Sequence, residues 1–147
     1  MAFSKLVGTF AITTANAAGT EVSATTLTGC SKFDRIMVVA SLLGVTGGTL
    51  DVYLQREIAT NVWTDWLHFA QLAAAAAAIR YACAGDPTLV VPVVVGVGTT
   101  AAPGVALAAG QCVGGHPGDK LRAVFVSGAG TAAGAAQTIY VSGWCAK

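Results

Sequence analysis

Charge is what this sequence has least of. Among 147 residues there are 8 Lys and Arg and 7 Asp and Glu, 10% of the chain with a net charge of +1, against about 25% in an average globular protein. Nucleic-acid binding by a basic face is thereby excluded, since it needs clustered Lys and Arg. Acidic and basic tails are excluded as well. A folded monomer of this mass exposes roughly 6,900 Å², or about one charge per 460 Å². A surface so poor in charge is either small and neutral or covered by neighbouring molecules, and the second reading is preferred.

Uninterrupted apolar helices are missing too. The longest stretch without Asp, Glu, Lys or Arg runs from Pro87 to Gly118 and contains Pro87, Pro92, Pro103 and Pro117. A spanning helix needs about 20 apolar residues; Val and Gly broken by Pro suit strands and turns, so no membrane partner is expected. Near the N-terminus, Lys5, Leu6 to Ile12 and Ala15-Asn16-Ala17 loosely imitate a leader. Gly8 and Thr9 interrupt its apolar part, and no removed leader is expected. No CxxC pair occurs among Cys30, Cys83, Cys112 and Cys145, and neither His68 nor His116 stands at zinc-ligand spacing from a Cys pair. Free, buried thiols and no metal are the expectation.

What is present is small and β-branched: 29 Ala, 18 Gly, 18 Val and 16 Thr. Leu, Ile, Val and Phe make up 39 residues, enough for a real core. Short β-favouring segments recur, separated by Gly, Pro or Thr-rich breaks. They are Phe3 to Thr14, Glu21 to Thr28, Phe33 to Val45, Leu50 to Ile58, Asn61 to Leu72, Leu89 to Val97, Val105 to Val113, Asp119 to Ser127 and Gln137 to Trp144. Thr46-Gly47-Gly48-Thr49 carries a hairpin signal between its two runs. Leu50, Val52 and Leu54 alternate with Asp51, Tyr53 and Gln55, the pattern of a half-buried strand. Residues 73–78, six Ala, stay open between a short helix and a tight strand or loop. The whole reads as one all-β domain over 1–147, an antiparallel β-sandwich or jelly roll of eight to ten short strands, from which residues 1–5 can extend as an arm.

Chemistry is sparse. Gly96-Val97-Gly98-Thr99-Thr100-Ala101 matches GxGxxA, but Pro103-Gly104 breaks the helix that a dinucleotide fingerprint needs. Gly128-Ala129-Gly130 lacks the Lys and Ser/Thr of a phosphate loop, and no GxSxG elbow follows from Ser127. His68 lies near Asp65 and His116 near Asp119, each at a spacing that allows a local hydrogen bond without an identifiable nucleophile. Asp34, Asp51, Glu57, Asp65, Asp86 and Asp119 read as solvated strand ends rather than a glycosidase pair. Trp63, Trp66 and Trp144 keep a sugar-stacking platform open, although core or interface aromatics are the commoner use. The reading is of a protein that is not an enzyme and has no cofactor.

Thr49 to Gln55 (TLDVYLQ), Trp63 to Gln71 (WTDWLHFAQ), Lys120 to Val126 (KLRAVFV) and Gln137 to Gly143 (QTIYVSG) together resemble small structural proteins of tailed bacteriophages, the β-sandwich or jelly-roll proteins of the virion that include capsid cement (decoration) proteins. The likeness covers about half the chain, mainly 33–72 and 119–144, and its motifs are packing motifs; the Val- and Ala-rich 73–118 region departs from it. It implies no catalytic residues. It implies a major capsid protein as partner, a homo-oligomer, and a virion location after assembly in the bacterial host cytoplasm. The scarcity of charge fits such broad neutral contacts, which a lattice strengthens by avidity. Phe3, Lys5, Trp63, Trp66, Val94 and Trp144 are the candidate interface residues. Another head or tail role, or a carbohydrate- or host-surface-binding sandwich, is the alternative.

Overall fold

The structure is a computed structural model, and it describes residues 3–13, 19–43, 49–73, 77–84, 111–112, 117–128 and 136–145. The strands are β1 (Phe3–Thr13), β2 (Gly19–Val22), β3 (Arg35–Leu43), β4 (Thr49–Ala59), β5 (Val62–His68), β6 (Leu72–Ala73), β7 (Ala77–Ala84), β8 (Gln111–Cys112), β9 (Leu121–Ser127) and β10 (Ala136–Cys145). One 3-10 turn, Cys30–Lys32, is the only helical element among the described residues. Two antiparallel sheets form an all-β sandwich. The four-stranded sheet has the order β1-β10-β3-β7; the six-stranded sheet has the order β2-β9-β4-β5-β8, with β6 on β4.

Alternation decides which side chains enter the sandwich. Ile36, Val38 and Ala40 of β3, Ile139 and Val141 of β10, and Phe10 of β1 meet Leu50, Val52 and Leu54 of β4, Leu121, Ala123 and Phe125 of β9, and Trp66 and Leu67 of β5. Two glycines permit the closest approaches. A Cβ on Gly143 would collide with the ring of Phe33, and one on Gly8 with the side chain of Leu27. Between β4 and β5 the chain turns at Thr60-Asn61. Asn61 takes the left-handed conformation (φ 61°), which Asn tolerates, and its N–H donates to Glu57 Oε1 at 2.9 Å.

Several expectations need correction. The Gly-Gly signal at 46–49 does not join a hairpin: β3 pairs with β10 and β7, whereas β4 pairs with β9, β5 and β6. Both runs own an apolar face that must reach the core, and the chain satisfies both by crossing from one sheet to the other. Of the expected arm over residues 1–5, Phe3 to Lys5 are in register with Cys145 to Gly143, and residues 1–2 lie outside the described residues. Of the expected Glu21 to Thr28 strand only the first residues belong to β2, and Leu27 makes an isolated bridge to Leu121. The expected strand at 89–97 and most of that at 105–113 lie outside the described residues, as do 74–76 within the Ala run.

A β-bulge sets the faces of β5. Leu54 is paired with Leu67 but Gln55 with Asp65, so Trp66 is an extra residue. Strict alternation would put residues 65 and 68 on opposite faces. The bulge instead turns Trp66 and Leu67 both into the core and leaves Asp65 and His68 both on the far face.

Candidate functional site

That far face of the six-stranded sheet gathers polar side chains from three strands. β4 contributes Asp51, Tyr53 and Gln55, β5 contributes Asp65 and His68, and β9 contributes Arg122, in register with Gln55. Alternation alone makes this a solvent face. It is buried instead: Gln55 is 1%, Asp65 2% and His68 4% exposed, and Tyr53 and Val124 are buried beside them. The strand read as half-buried is therefore buried on both faces through its middle.

The buried groups satisfy one another, as their desolvation requires. Gln55 Nε2 donates to Asp65 Oδ1 at 2.7 Å, and Arg122 Nε donates to Gln55 Oε1 at 2.8 Å. The Arg122 guanidinium carbon lies 4.5 Å from the centroid of the Trp63 ring, a cation–π arrangement. Next to this relay, His68 Nε2 stands 2.9 Å from Asp51 Oδ1, and Gln71 Nε2 donates to Asp51 Oδ2 at 2.6 Å. The Tyr53 and His68 rings stack with centroids 3.9 Å apart. Burial, with Asp51 and Asp65 adding to it, pushes the Tyr53 hydroxyl up to about 12. Burial pulls the Arg122 guanidinium down, against the opposing pull of Asp65.

The remaining polar pairs close off the sheet margins. Lys120 Nζ lies 2.6 Å from Glu57 Oε2; its hydrogen bond, then that from Asn61, holds the Glu57 carboxyl below its usual range. Ser31 Oγ donates to Asp119 Oδ1 at 2.5 Å, which lowers the Asp119 carboxyl. Cys30 is buried and free; burial, then Asp119, pushes its thiol up to about 11.

These partners differ from the local ones the sequence suggests. His68 bonds Asp51 across the sheet, and Asp65 bonds Gln55. Asp51 and Asp65 are not solvated strand ends. Trp66 lies in the core and Trp63 under Arg122, and both side chains are buried within this chain. Phe3, Lys5 and Trp144 sit on the paired strands β1 and β10, in register with Cys145, Gly143 and Ser4 respectively. Val94 and His116 lie outside the described residues. Among the described residues no group of three or more His, Cys, Asp or Glu could hold a metal ion, and no helix is long and apolar enough to cross a membrane.

The surface that sequence reading missed is the outer face of the four-stranded sheet. Its central rows run Thr138–Ser41, Thr9–Tyr140–Val39 and Ser142–Met37 across β1, β10 and β3. Every residue in these rows is uncharged; Arg35 stands one row further out, beside Trp144. Thr9 and Ser41 are exposed, and Tyr140, at the middle, is 43% exposed. The signal for it was present in the charge-free alternation of β3 and β10, but it needed the strand order to assemble. Comparison of the chain with protein-family models, with curated proteins and with solved structures gives no match.

Proposed function

We propose that this chain is a non-catalytic structural protein of a virion, of the capsid cement or decoration type, which binds and stabilises an assembled phage capsid lattice. The observation that carries the reading is the uncharged outer face of the four-stranded sheet. A face that meets only water normally carries charge, whereas Thr9, Met37, Val39, Ser41, Thr138, Tyr140 and Ser142 carry none. Such a face suits broad contact with other protein, with Tyr140 as an aromatic anchor. Among the described residues, Gln55, Asp65 and His68 are buried and hydrogen-bonded within the protein, which supports a structural role over an enzymatic one. The sugar-stacking alternative loses its support, since Trp63 and Trp66 are buried.

Co-sedimentation of the purified protein with bare capsids tests this. Saturation at a fixed stoichiometry, with a rise in the capsid melting temperature, is the expected result. Protein that stays in the supernatant at every concentration overturns it. Imaging the position of the bound protein separates a cement role from another head or tail role.

A further inference from the structure

We draw no further inference here: the strongest candidate, the tip of the β4–β5 hairpin, where Ile58 and Val62 are exposed beside the Glu57–Lys120 ion pair, is an unpartnered apolar patch, and nothing in the structure shows what covers it.

Discussion

Replacing Gln55 by Leu removes the middle of the buried relay without changing its bulk much. The Gln55 amide gives one hydrogen bond to a carboxylate, Asp65, and takes one from a guanidinium, Arg122, at 2.7 and 2.8 Å. Hydrogen bonds to charged groups contribute about 1.5–3 kcal/mol each, so losing both costs about 3–6 kcal/mol. Burying the Leu side chain at a site only 1% exposed returns about 1.5–3 kcal/mol at most. The net expectation is a loss of about 1.5–3 kcal/mol, or roughly 3–12 °C in Tm for a chain of this length. Urea unfolding followed by Trp fluorescence measures it: the midpoint falls while the slope is unchanged. The double variant Gln55→Leu/Arg122→Leu completes a cycle. It is expected to cost less than the sum of the single variants, because removing both partners leaves fewer stranded charges. A folded Gln55→Leu protein as stable as the wild type, with no coupling in the cycle, would refute the view that these bonds hold the sheet.

Two further outcomes follow from geometry already given. Tyr53 has its hydroxyl raised from 10 to about 12, so its contribution is intact below pH 10 and disappears as pH rises toward 12. Tyr53→Phe, which keeps the ring stacked on His68, is expected to flatten that alkaline loss in unfolding midpoints measured from pH 9 to 12; an unchanged limb rules the effect out. Gly143→Ala drives a methyl into the Phe33 ring and is expected to lower stability by about 1–3 kcal/mol. Adding Phe33→Leu should relieve part of the clash, so a double variant less stable than the sum of the single changes argues against that contact.

The elements were legible where a rule acts locally. The alternation of Leu50, Val52 and Leu54 placed β4 and its core face, and the β-branched run before it placed β3. What stayed hidden depends on strand partners. The Gly-Gly signal at 46–49 speaks only of a turn; whether the next strand pairs back or crosses to the other sheet is decided by which core face remains to be covered. Likewise His68 reads naturally with Asp65, three residues away, but its partner Asp51 is 17 residues distant, and Arg122 is 67 from Gln55. No spacing rule spans such separations; register alone brings them together. The outer face of the four-stranded sheet was legible as a shortage of charge, without any indication of where the shortage would be concentrated.

The bulge at Trp66 gives β5 something like a reading frame. Upstream of it, odd-numbered positions such as Trp63 and Asp65 point away from the core; downstream, even-numbered His68 does. Deleting Trp66 would restore plain alternation, with Asp65 still opposite Gln55 and Leu67 still opposite Leu54, so the facing of the polar side chains would survive. What would be lost is a fully buried indole. The extra residue thus lets β5 set two consecutive side chains in the core while keeping a polar position on either side of them.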